Sequence, residues 1–102
     1  MPTAIVCAYD EVAFGAITEL RAMGYHVPDD VSVVGYKNIP FCAYFDPPLT
    51  TVDEKIAERA EEALLLLQDV LMDKTRTQEL LTVPYHNTLV ERQSVAPAKP
   101  KK

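Results

Sequence analysis

The stretch Val27-Pro28-Asp29-Asp30-Val31-Ser32-Val33-Val34-Gly35-Tyr36 constrains this chain more than any other. Pro28-Asp29-Asp30 is turn chemistry, the run that follows is rich in β-branched residues, and Gly35 ends it, so the segment reads as turn, buried strand and stop. A second apolar run, Thr3-Ala4-Ile5-Val6-Cys7-Ala8, precedes it. Neither run alternates with polar residues, which predicts strands covered on both faces. Between them residues 11 to 23 follow a helical period, with Val12, Ala13, Ala16, Ile17, Leu20 and Met23 on one face. Asp10 stands where an N-cap is expected, Glu11 adds negative charge to the first turn, and Gly24 is the natural stop. Two buried strands joined through one helix require a parallel pair and a crossover, a βαβ unit.

Further along, residues 37 to 48 are irregular, with a helical turn expected near Phe41 to Phe45. Pro47-Pro48 forbids helix and forces Leu49 to Val52 into extended backbone. Residues 53 to 73 form the longest predicted helix, capped by Asp53 or Thr51, with Glu54 in its first turn. Ile56, Ala60, Ala63, Leu64, Leu67, Val70 and Leu71 make a continuous stripe, and Leu64-Leu65-Leu66-Leu67 widens it enough to predict burial on more than one side. A polar loop over 74 to 78, a strand over 79 to 83 broken by Pro84, and a short strand over 88 to 90 complete the folded part. One domain spans residues 1 to 95, and the Pro, Ala and Lys of residues 96 to 102 read as a disordered tail. A single βαβ helix and one leucine-rich helix leave more apolar surface than this inventory can cover. The chain therefore reads as part of a larger fold, and in isolation it is expected to self-associate.

Composition removes several function classes. A net charge of -5 argues against a dedicated nucleic-acid surface. No apolar run approaches the ~20 residues of a membrane span. Neither a basic n-region nor a cleavage site marks a signal peptide, and a cytoplasmic location is expected. Cys7 and Cys42 have no metal spacing and read as reduced, buried, small hydrophobes. His26 and His86 lack a nucleophile or metal-ligand partner at readable spacing, and no phosphate-binding Gly-rich loop is present. The expectation is a protein that is not an enzyme, with no cofactor and no metal.

The segments Ala8-Tyr9-Asp10-Glu11-Val12-Ala13-Phe14-Gly15-Ala16, Gly24, Val27 to Tyr36, Pro47-Pro48-Leu49-Thr50-Thr51-Val52 and Leu89-Val90-Glu91-Arg92-Gln93-Ser94 occur in a fixed order. Together they resemble the ligand-binding core of lactose-repressor/galactose-repressor type bacterial regulators, over residues 3 to 95. The resemblance implies an α/β fold: the C-terminal part of a two-lobed domain similar to type I periplasmic binding proteins. A βαβ parallel sheet, a long helix and C-terminal strands make up that part. Residues 3 to 48 would lie in one lobe, Thr50-Thr51 would be a hinge crossing, and the long helix would pack on a lobe outside this chain.

The resemblance also implies a small-molecule effector in a cleft, a sugar, sugar phosphate or nucleobase-like compound. It would be held by loops at the carboxyl ends of strands. Tyr9, Asp10, Lys37, Asn38 and Glu54 fall there. Tyr9 replaces the Asn usual in the family and would stack on a sugar or base. Asp10 reads equally as a helix cap, and Glu54 as a favourable charge at a helix start. Lys37 replaces an Asp, which inverts the charge and removes every acceptor. It points either to an anionic effector or to a solvent-facing or lost pocket. Phe14, Tyr44 and Phe45 would lie at a homodimer interface, with ordinary core packing as the alternative. Arg92 reads as one half of a structural ion pair. DNA would be contacted only through an N-terminal domain that this chain does not carry. A fragment of a periplasmic solute-binding protein and a self-associating half-domain without ligand are the competing readings.

Overall fold

A computed structural model of the chain describes residues 1 to 72 and 86 to 100. The strand expected over 79 to 83 lies outside the described residues. The chain divides into two units: residues 1 to 54 with 88 to 102, and residues 55 to 87.

The first unit is built on the expected βαβ element. Strand β1 (Ala4–Val6) runs parallel to β2 (Ser32–Val34) in the register Ala4↔Ser32, Ile5↔Val33, Val6↔Val34. Helix α1 (Asp10–Ala22) joins them. It closes with a Schellman arrangement: Tyr25 N–H donates to Leu20 O, Gly24 N–H donates to Arg21 O, and Gly24 takes a φ of 90°. Beyond it the loop is locked locally, since His26 N–H donates to Asp30 Oδ2 and Asp30 N–H to His26 O. A 3-10 turn spans Pro40–Ala43. Strand β3 (Thr51–Asp53) pairs antiparallel with β4 (Thr88–Val90). A parallel bridge, Val34↔Thr50, links the two pairs, so the strands lie in the order β1, β2, β3, β4.

The core sits between α1 and one sheet face. Ala13, Ile17 and Leu20 from α1 meet Val31, Val33, Val27, Cys7, Cys42 and Leu49 there. Fully burying a side chain of this size contributes about 1.5–3 kcal/mol. Two expectations are corrected. Val12 and Met23 are exposed, so the buried stripe of α1 is narrower than the apolar pattern. Strand β1 is not covered on both faces: Ile5 packs on the core while Val6 is 79% exposed. The cause is that α1 covers one face only, and successive side chains alternate across a strand. In the part of the expected tail that is described, residues 96 to 100, Ala96 exchanges hydrogen bonds with Ser32 Oγ of β2 and Lys99 pairs with Asp30 at 3.1 Å.

The second unit contains α2 (Ile56–Met72). It starts later than expected because Asp53 pairs with Thr88 in the β3–β4 ladder, so neither Asp53 nor Thr51 caps it. Lys55, with a φ of 53°, separates strand from helix. No residue of α2 is buried, and Leu64, Leu65, Leu67 and Leu71 are all exposed.

Candidate functional site

The loops after β1 and β2 and the start of β3 converge on Asp10, which is fully buried. The residue was expected to cap α1. It is instead the first residue of the helix, Tyr9 occupies the cap position in extended backbone, and no side-chain cap bond forms. The Asp10 carboxylate faces the other way. It accepts from Thr51 Oγ1 at 2.5 Å and from Ile39 N–H at 2.8 Å. The Asp10 N–H donates to Tyr36 O at 3.1 Å. One buried carboxylate thus fastens the loop after β1, the loop after β2 and the start of β3. A charge is tolerated in such a place only when hydrogen-bonded on both sides. The chain makes room for it at Gly35: a Cβ there would overlap Asp10 Oδ1 and come within 2.8 Å of Leu49 Cδ2. The Cys42 thiol lies in the same pocket. Burial, with the Asp10 carboxylate second, pushes it up to about 12.

The loop after β2 is held on all sides. Lys37 N–H donates to Val52 O at 2.8 Å. Asn38 Nδ2 donates to Asp53 at 3.3 Å, and Asn38 Oδ1 accepts from Arg92 at 2.8 Å. Lys37 (φ 112°) and Asn38 (φ 62°) both have positive φ, which Asn adopts readily but Lys rarely. Lys37 and Tyr9 come together: the ammonium lies 4.8 Å from the centre of the Tyr9 ring, a cation–π arrangement on an exposed edge. Glu54, half-buried, follows β3 directly.

Arg92 was read as half of an ion pair. Its guanidinium instead donates to two neutral acceptors, Leu49 O and Asn38 Oδ1, while its own N–H donates to Thr50 Oγ1. Ser94 was read only as part of a motif, yet it is fully buried and bridges strands: its Oγ donates to Val33 O and accepts from Thr50 N–H. No local signal could have found Thr51 or Ser94, since their partners are 41 and 44 residues away. A depression of about 460 Å³ lies on the sheet face opposite α1, lined by Val34, Thr50, Leu89, Arg92 and Val95; none of the expected effector residues lines it.

Phe14, Phe41 and Phe45 form one aromatic cluster. Phe14 and Phe45 stack with centres 4.5 Å apart, and Phe41 meets Phe14 edge-on at 5.4 Å. Phe14 and Phe45 are half-buried against the core, while Tyr44 is 81% exposed beside them. Phe41 was not singled out from the sequence, although its spacing from Phe45 on one helical turn was visible.

Comparison with known proteins decides what this geometry belongs to. The model of the periplasmic binding protein-like domain matches residues 1 to 95. The chain belongs to this family, in its LacI/GalR regulator branch. Among curated relatives, the HTH-type transcriptional repressor PurR of Mannheimia succiniciproducens is 44% identical over 94 residues; the match covers 92% of this chain and 28% of the relative. The PurR of Actinobacillus pleuropneumoniae is 42% identical over 96 residues. The chain thus spans under a third of the length of these relatives. Among solved structures, a LacI family regulator from Enterococcus faecium with bound ribose superposes with a TM-score of 0.81 at 33% identity. That match covers 95% of this chain and 35% of the regulator. A Lactobacillus casei regulator with bound sucrose gives 0.74 at 39% identity, covering 92% of this chain and 34% of that one. The two curated relatives are transcriptional repressors, and the two solved structures are transcriptional regulators. No described helix is long and apolar enough to cross a membrane.

Proposed function

We propose that this chain is an effector-sensing portion of a bacterial transcriptional repressor that acts in the cytoplasm without catalysis. The observation that carries the reading is the convergence of the carboxyl ends of β1 and β2 and the start of β3 on buried Asp10, with Tyr9 and Lys37 on the adjoining exposed edge. Ligands of open α/β sheets bind outside such strand ends. A regulator of the same fold holds ribose and another holds sucrose. The effector of this chain is a small polar molecule with a sugar-like skeleton. Because Asp10 ties the loops of that edge to β3, a ligand that favours one arrangement of those loops shifts the population of the whole element. DNA reading belongs to parts of the relatives outside the matched stretch.

The test is two-dimensional NMR of the chain during titration with ribose, glucose and sucrose. Shifts centred on Tyr9, Lys37 and Asn38 are expected; shifts spread over the surface, or none at all, would remove the reading.

Self-association belongs to the same proposal. The Phe14, Phe41 and Phe45 cluster with exposed Tyr44 is the kind of aromatic patch enriched in interface cores. Light scattering is expected to give the mass of a dimer, and Tyr44→Lys with Phe41→Lys to return it to a monomer. A monomeric parent chain would leave the cluster as ordinary packing.

A further inference from the structure

We infer that the Tyr9–Lys37 edge is a binding site for an anionic group, and that the effector is a sugar carrying a phosphate or carboxylate rather than a neutral sugar. The inference rests on the effector-sensing reading above and narrows its ligand. Lys37 is exposed, and among the described residues its ammonium has no carboxylate partner; the Tyr9 ring at 4.8 Å is the group it faces. Two acids of the adjoining elements are already engaged. Asp10 is bonded to Ile39 and Thr51, and Asp53 accepts from Asn38. A second cation, the Arg92 guanidinium, joins the same loop through Asn38. Lys37 and Arg92 thus place two cations on the loop after β2 in a chain whose net charge is -5, with Glu54 after β3 the remaining acid of the expected cleft.

The loop is built to hold that charge in place. Lys37 and Asn38 both keep left-handed backbone. Tyr36 O and Ile39 N–H are both bonded to Asp10, Lys37 N–H to Val52 O, and the Asn38 amide to Asp53 and Arg92. The unfavourable backbone of Lys37, held by its bonded neighbours, fixes where its side chain starts, which is the pre-organisation that anion recognition needs. A mobile surface lysine would not require it. The ammonium is a compact, strongly hydrated point charge with three donors, suited to phosphate or carboxylate oxygens, and offers nothing to a ligand that must find acceptors for its hydroxyl protons. Tyr9 acts as a positioning residue, keeping the ammonium over its ring.

The experiment titrates the full chain, followed by NMR, with ribose, ribose 5-phosphate and ribonate. Lys37→Asp, Tyr9→Phe and Tyr9→Ala are titrated in parallel. Ribose 5-phosphate, ribonate or both are expected to bind at least about tenfold more tightly than ribose, with affinity falling as salt rises. Whichever is preferred identifies the anionic group. Lys37→Asp should abolish that preference while keeping ribose binding, Tyr9→Phe should retain it, and Tyr9→Ala should weaken it. Equal binding of all three sugars, or a preference unchanged by Lys37→Asp, overturns the anionic site and leaves effector sensing standing. Binding of none overturns both.

Discussion

The sheet unit and the long helix treat their apolar residues in opposite ways. In the first, Ile17, Val31, Val33 and Leu49 are wholly removed from solvent, and the polar groups among them are bonded in pairs. In α2 the sequence is more apolar still, yet none of its residues is buried. Hydrophobic content alone does not make a core; a facing surface does. The first unit supplies its own through the βαβ crossover. The second carries a leucine face with no buried residue.

The sharpest way to break this comparison is a pair of truncations. Ile17→Ala is expected to lower the stability of the chain by about 3–4 kcal/mol, from lost burial and the cavity left behind. Leu67→Ala on α2 is expected to change it by less than about 0.5 kcal/mol, as exposed substitutions do. Urea denaturation of both variants decides it, and comparable losses would mean that α2 is part of the core. Gly35→Ala comes next, at about 3 kcal/mol, since the added carbon meets Asp10 Oδ1 and Leu49 Cδ2 in a packed interior. In an Asp10→Ala background the same change should cost clearly less, because its main obstacle is gone. Strict additivity of the two in a double-mutant cycle would contradict the arrangement.

The contrast between the units was partly legible in the sequence. The β-branched runs around residues 3 to 8 and 31 to 34, with a helix of period 3.6 between them, left little choice but a parallel pair. The proline pair at 47 and 48 placed the next extended segment. The leucine run on α2 predicts burial on more than one side, and among the described residues of that helix none is buried. The centre of the site was less legible. Asp10 before an apolar helical pattern has the local signature of a cap, and local signals cannot show a carboxylate turned away toward residues 39 and 51. Likewise Asp53 preceded a helical pattern, but the β4 ladder drew it into a strand. In both places a long-range hydrogen bond overrode a local preference. Tyr9 and Lys37 were each flagged from departures from the family pattern, but only the fold showed them to be one pair.

Ser94 tests whether the polar ties of the sheet unit matter as much as its apolar core. Ser94→Ala removes both the donor to Val33 O and the acceptor of Thr50 N–H without changing the backbone. Two buried groups left without partners predict a loss of about 2 kcal/mol in the same denaturation measurement. Cys42 probes the interior by pH. Its folded thiol keeps its proton up to about 12, whereas the ordinary value is 9.0. The unfolded chain therefore holds fewer protons in that window, and stability should be level below pH 9 and fall as pH rises toward 12. Cys42→Ala should flatten this decline.

The smallest expected effect separates burial from membership of the sheet unit. Arg21 and Asp46 approach to 3.8 Å within that unit, but both side chains are substantially exposed. If the unit were stable simply because its residues have partners, breaking this pair would cost as much as losing Ser94. If exclusion of water decides, the pair should behave like the leucines of α2. Solvent-exposed ion pairs at such distances are worth about 0–1 kcal/mol and are screened by salt. A double-mutant cycle of Arg21→Ala and Asp46→Ala is therefore expected to give a coupling below about 0.5 kcal/mol that vanishes in high salt. A coupling that persisted in high salt would mean that the aromatic cluster next to Asp46 shields the pair, and would extend the dry interior of the sheet unit to the Phe14–Phe45 surface.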